Sequence, residues 1–136
     1  MAKLRVNTLG DTSEMRLFYE TEIDGIAEST RLRYITAGAG QSMSYDAKYA
    51  QAIAYRDGHN EGEYRWLTAE AEATDSTVES VVNSIIKARE IWEAIGVTIE
   101  ASRLKAKLAL TKVDSASDMQ KILSDFKKEM ELLPPR

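Results

Sequence analysis

Residues 77–113 read TVESVVNSIIKAREIWEAIGVTIEASRLKAKLALTKV. Val78, Val81, Ile85, Ala88, Trp92, Ile95, Ile99, Ser102, Ala106, Ala109 and Val113 recur at alternating spacings of three and four. That is the heptad spacing of an α-helix with one continuous seam, and a seam of this length must be covered by other apolar surface. Ser76 and Glu79 have capping-box spacing, so the helix is predicted over about 77–113. Gly96, Val97 and Thr98 are poor helix formers near its middle, and a kink is expected there.

Outward from this helix, a second capping pair, Ser115 with Asp118, opens a final helix over about 116–132. Met119, Ile122, Leu123, Phe126, Met130 and Leu133 form its stripe, and Pro134-Pro135 stops it. The short turn between the two helices predicts an antiparallel pair, the last helix covering the small residues Ser102, Ala106 and Ala109. The half from Val81 to Ile95, holding Trp92, is left for the first helices or a partner.

Upstream, residues 1–11 read as an extended arm with Leu4, Val6 and Leu9 apolar. It is either a short edge strand on the body or an arm docked on another subunit. Asp11 with Glu14 opens an element running to about Ile35. Its apolar residues Met15, Phe18, Tyr19, Ile23, Ile26, Ala27, Leu32 and Tyr34 follow the helical period only loosely, and residues 13–22 fit helix or strand. Gly25 marks a bend or a close helix contact. A turn at Ala37-Gly38-Ala39-Gly40, a helix over about 42–56, a polar loop at 57–62 and a short helix over 64–73 complete the chain. The expected fold class is therefore all-α: a small antiparallel helical bundle domain over 12–136, built on one long helix, behind the arm at 1–11.

Composition narrows function mainly by exclusion. The chain has 136 residues, 43% hydrophobic and 29% charged, with net charge −4; an acidic balance argues against nucleic-acid binding as a global property. It has no cysteine, which excludes disulfides and thiolate metal sites. No apolar run approaches the roughly 18 residues of a membrane span, and no secretory h-region follows Met1. His59 is the single histidine, so two-histidine metal sites are excluded, and it reads as an exposed loop residue. Glu20, Glu22 and Asp24, like Glu61 with Glu63 and Glu70 with Glu72, alternate along the chain. Residues two apart on a helix diverge, so these read as solvated faces. Asp57, Asn60, Glu61 and Glu63 supply oxygen ligands without EF-hand spacing. Gly38-Ala39-Gly40-Gln41-Ser42 lacks a P-loop's lysine and third glycine and reads as a turn. Any Ser–His pair would have to use His59. The chain is read as no enzyme, with no catalytic, cofactor or metal residues. Trp92 on the seam and Trp66 beside Tyr64 read as core or partner contacts, and aromatic residues are enriched at interfaces.

Several strings, taken in order, resemble small bacteriophage tail proteins. They are Arg31-Leu32-Arg33-Tyr34-Ile35-Thr36, Gly38-Ala39-Gly40-Gln41, Tyr45-Asp46-Ala47-Lys48 with Gln51-Ala52, and Tyr64-Arg65-Trp66-Leu67 with Glu70-Ala71. The long helix with Trp92, then Ile99-Glu100-Ala101 with Arg103 and Lys107, continue the series. Over about residues 23 to 115 the chain is similar to the helical domain of tail-fibre-associated and tail-fibre-assembly-type proteins. It departs at Arg65, where the family usually has proline. The resemblance implies a virion protein of the tail, made in the bacterial host cytoplasm. Its partners would be other tail proteins of the fibre or baseplate and copies of itself, without nucleic acid or membrane insertion. Leu4, Val6, Leu9, Trp66 and Trp92 are the candidate partner-binding residues. The alternatives are a tail-fibre assembly chaperone not retained in the virion, and a small helical ligand-binding domain or enzyme.

Overall fold

The computed structural model describes residues 9–35, 39–58 and 63–135, with side chains from 12, 41 and 63 onward in the three segments. All the regular structure among them is α-helical: α1 (Leu9–Arg31), α2 (Ala39–Arg56), α3 (Arg65–Ala73), α4 (Val78–Leu110) and α5 (Ala116–Glu131). The protein is a small helical bundle built on the long helix α4. Its helices gather into two compact units, where the sequence suggests a single bundle domain over 12–136. One unit holds α1, α4 from Ile95 onward, and α5; the other holds α2, α3 and α4 up to Ala94. The division falls next to Gly96, and α4 is α-helical without interruption through Gly96–Thr98.

In the first unit, α1 buries Met15, Tyr19, Ile23 and Ala27 at a spacing of four, with Thr30 continuing the row. This decides between helix and strand for 13–22 in favour of helix. The loose periodicity arose from Leu17 and Phe18, which are apolar but stand outside the row and exposed. Met119, Phe126 and Met130 of α5 and Ile99, Ala106 and Leu110 of α4 complete the core, with Ile95, Ile122, Leu123 and Leu133 packed at its edge. The C-terminal stripe is therefore placed as its spacing predicts.

Helix termini in this unit are satisfied by arginines far away in sequence. The last carbonyls of a helix have no partner inside it. Arg16 of α1 donates from Nε to the Leu110 carbonyl at 3.0 Å and from Nη2 to that of Val113 at 2.9 Å. Arg33, just past α1, donates from Nη1 to the Met130 carbonyl at 3.0 Å. The Tyr34 hydroxyl donates to the Pro134 carbonyl. α1 and the turn after it thus tie down the C-termini of α4 and α5, the arginine hydrogen bonds being worth about 1.5–3 kcal/mol each when partly buried.

Helix boundaries differ from expectation where side-chain caps compete. Leu9, Gly10 and Asp11 already belong to α1, so the helix starts upstream of the Asp11–Glu14 pair, and Leu9 is no part of an extended arm. Leu4 and Val6 lie outside the described residues. At its other end α1 stops at Arg31, and turn hydrogen bonds carry residues 32–34. For α4 the cap is Thr77, whose Oγ1 accepts the Ser80 amide at 3.1 Å. Ser76 is engaged in ending α3: its amide donates to the Ala71 carbonyl and its hydroxyl meets that of Thr74 at 2.8 Å. With Asp75 left-handed at φ 52° and its amide on Glu72, this is a Schellman turn. Ser115 caps α5 by accepting the Asp118 amide, as predicted.

Gly25 of α1 is exposed, and a Cβ there would meet nothing within 4 Å, so no close helix contact requires it. Gly25→Ala is expected to stabilise the protein by about 0.5–1 kcal/mol, since glycine is the costlier residue inside a helix. A higher urea midpoint checks this; a lower one would restore a packing role for the glycine.

The second unit packs Ala52 of α2 and Leu67 and Ala71 of α3 against Val81, Val82 and Ile85 of α4. Gln51 supplies the start of α3, its Oε1 accepting the amides of Trp66 at 3.0 Å and Leu67 at 3.4 Å. Lys48 and Glu70 pair at 2.6 Å across α2 and α3, so Glu70 does not lie on a merely solvated face. The Arg89 guanidinium sits 4.5 Å from the Tyr49 ring centroid and also bonds Asp46 and Glu93. Of the seam residues on α4, Val81, Ile85, Ile99 and Ala106 are buried, Val78, Trp92, Ile95, Ser102 and Ala109 are half-buried, and Ala88 is exposed.

Candidate functional site: outward faces of the α1/α4/α5 unit

Chemistry-bearing side chains in this unit are mostly consumed by the fold. Arg103 of α4 donates to both Glu100 oxygens, at 2.6 and 3.1 Å, and to Asp24 of α1 at 2.9 Å. Lys107 reaches the other Asp24 oxygen at 3.0 Å, and Arg31 reaches Glu100 at 3.3 Å. Asp24, read from sequence as solvated, is in fact the anionic centre of an α1–α4 network. The reason is that Arg103 and Lys107, four apart on α4, converge on one carboxylate. Burial alone would raise the Asp24 carboxyl, but hydrogen bonds from Lys107 and Arg103 outweigh it and hold it below its ordinary value. The hydrogen bonds from Arg103 lower Glu100 as well.

These shifts set a sign for the acid limb of stability. Both groups have folded values below their ordinary ones, 3.8 for Asp24 and 4.5 for Glu100. The network's contribution is therefore complete above those values and is lost as pH falls through the lower folded ones. Partial exposure keeps it modest. Thermal melts across pH 2–6 should show Asp24→Asn with a shallower acid decline than the parent; superimposable declines would remove Asp24 from the linkage.

A groove of about 430 Å³ runs along α1 and α5 past Gly25, Ser29, Arg33 and Lys127. Glu22, Thr30 and Glu131 line it as well, and Arg33 donates to the Met130 and Leu133 carbonyls. Among the described residues no cluster of three or more His, Asp or Glu side chains is placed to hold a metal ion. Of the oxygen ligands noted in the 57–63 loop, Asp57 pairs with Arg56 and Glu63 with Arg65, while Asn60, Glu61 and His59 lie outside the described residues. No described helix is long and apolar enough to cross a membrane.

What the unit offers instead is apolar surface. Helix α4 turns about 100° per residue, which sets Val97, Ala101, Leu104 and Leu108 on the side opposite Ile95, Ile99, Ala106 and Leu110. Val97 is 70% exposed, Leu104 54% and Leu108 57%, and Ala101 is exposed as well. Their spacing of four, three and four forms a second heptad series on the same helix. Lys105 flanks it and Lys112 lies in the turn just past the helix, both exposed and neither in an ion pair among the described residues. On α1, Leu17 is 62% and Phe18 46% exposed, with exposed Glu14 and Glu22 beside them.

The residues singled out from sequence are not gathered here. Leu4 and Val6 lie outside the described residues, and Leu9 is the first residue of α1. Trp66 is 43% exposed on α3, and Trp92 is half-buried on α4, both in the other unit. The outward series on α4 has a legible spacing, but the inward series on the same helix is the stronger signal and masks it in the sequence. Searches of protein-family models, curated proteins and solved structures find no match to this chain.

Proposed function

We propose that this chain is a structural bacteriophage tail protein of the fibre or baseplate region, working through protein–protein contacts and not as an enzyme. The observation that carries the contact role is α4, apolar on two opposite faces in its second half, one filling the core and one outward with Val97, Leu104 and Leu108 exposed. Exposed apolar patches of this kind mark interaction sites. The tail setting comes from the ordered motifs between residues 23 and 115. Alongside them, Asp24, Glu100, Arg31, Arg103 and Lys107 are spent on pairs between α1 and α4, which suits a scaffold. Quantitative mass spectrometry of purified phage particles tests the assignment. Stoichiometric presence in the tail supports it, and presence only in infected-cell lysate, bound to a fibre protein, replaces it with the transient chaperone.

A further inference from the structure

Two exposed apolar faces on one three-helix unit carry opposite charge. On α1 the basic residues are turned inward, Arg16 to the end of α4 and Arg31 to Glu100. That leaves Glu14 and Glu22 flanking Leu17 and Phe18, so the outward residues of α1 itself are acidic, with Lys127 of α5 in the groove that Glu22 lines. On α4 the pattern is reversed. Arg103 and Lys107 are held by Asp24 and Glu100, while Lys105 stays exposed next to Leu104 and Lys112 stays exposed in the turn that follows the helix. Each face points away from the shared core, so one copy cannot close its α1 face on its own α4 face.

We infer that this unit self-associates head to tail, the acidic apolar face of α1 in one copy docking on the basic apolar stripe of α4 in the next. The occupant is a second copy because the complementary surface is present on the chain itself. Apolar side chains meet apolar side chains while Glu14 and Glu22 meet Lys105 and Lys112. Pairing like faces, α4 on α4 or α1 on α1, would bring equal charges together and is disfavoured. A contact between two different surfaces is heterologous, and repeated it closes a ring or extends a filament. This goes beyond the tail assignment and does not depend on it.

Sedimentation velocity on the full chain tests the inference with two conservative variants, each checked for folding by circular dichroism. Leu104→Gln with Leu108→Gln blunts the α4 face; Leu17→Gln with Glu14→Gln blunts the α1 face. The parent should associate with concentration and less so at high salt. Each variant alone should associate about tenfold or more weakly. Mixed in equal amounts, the two variants should form a one-to-one pair that grows no further, because each retains the face the other lacks. A parent that stays monomeric at every concentration overturns the inference. So does a folded variant that associates like the parent, or a mixture that forms no pair.

Discussion

Phe126→Ala should destabilise the α1/α4/α5 unit by about 3–5 kcal/mol, the usual cost of removing a buried phenylalanine and leaving a cavity. Phe126 is 3% exposed and sits on α5 in one cluster with Met15, Tyr19 and Ile23 of α1 and Ile99 of α4. The methionines at the site, Met15, Met119 and Met130, are flexible enough to fill part of the void, which favours the lower end of the range. The acidic Asp24 network cannot compensate, because it lies at a partly exposed edge of the helices where each pair is worth little. Urea unfolding followed by circular dichroism measures the loss. A change under about 1 kcal/mol would mean that α5 does not depend on its stripe for attachment.

Much of this unit was legible because the signals were local. Ser115 and Asp118 lie three apart, and the stripe from Met119 to Leu133 has one period, so α5 could be read from a short window of sequence. In α1 the local signals conflict. The row Met15, Tyr19, Ile23 and Ala27 is regular, but Leu17 and Phe18 are equally apolar and face outward, and apolar type alone does not separate a core row from an exposed patch. Caps were legible only to within a residue at Ser76 and Thr77, since two adjacent hydroxyls are chemically equal candidates until the end of α3 takes one. The arginine ties were not legible at all. Arg16 and the carbonyl of Val113 are 97 residues apart in sequence, and nothing in a charge pattern shows which arginine closes which helix end.

The candidate interface was half legible for a related reason. Tryptophans are conspicuous by residue type, yet Trp66 and Trp92 belong to the α2/α3 side of the division, and neither stands with the exposed leucines of α4. Val97, Ala101, Leu104 and Leu108 have the spacing of a seam but differ from the inward series only in which side the rest of the chain covers. That is a tertiary fact. Charge becomes informative at the same point: the two series of lysines and arginines on α4 separate into paired and unpaired ones only when Asp24 and Glu100 are in place.

In the second unit the largest effect is expected at Leu67, not at its conspicuous neighbour Trp66. Leu67 is fully buried among Ala52, Val81, Val82 and Ile85, whereas Trp66 is 43% exposed. Leu67→Ala should cost about 2–5 kcal/mol, and the loss should fall on α3 first. A helix of nine residues is far below the length at which isolated helices hold together in water. Its attachment therefore rests on Leu67 and Ala71, with Gln51 at its first amides and Glu70 on Lys48. Removing Leu67 takes away the one large side chain α3 buries fully, and the remaining polar ties are too exposed to replace it. Hydrogen exchange should then show the amides of residues 68–74 exchanging through local opening, faster than those of α5 in the same sample. Trp66→Ala, with the cap and Leu67 intact, should leave that protection nearly unchanged. If the two substitutions loosen α3 equally, the tryptophan packs more than its exposure implies, and the burial-based ranking of the two residues fails.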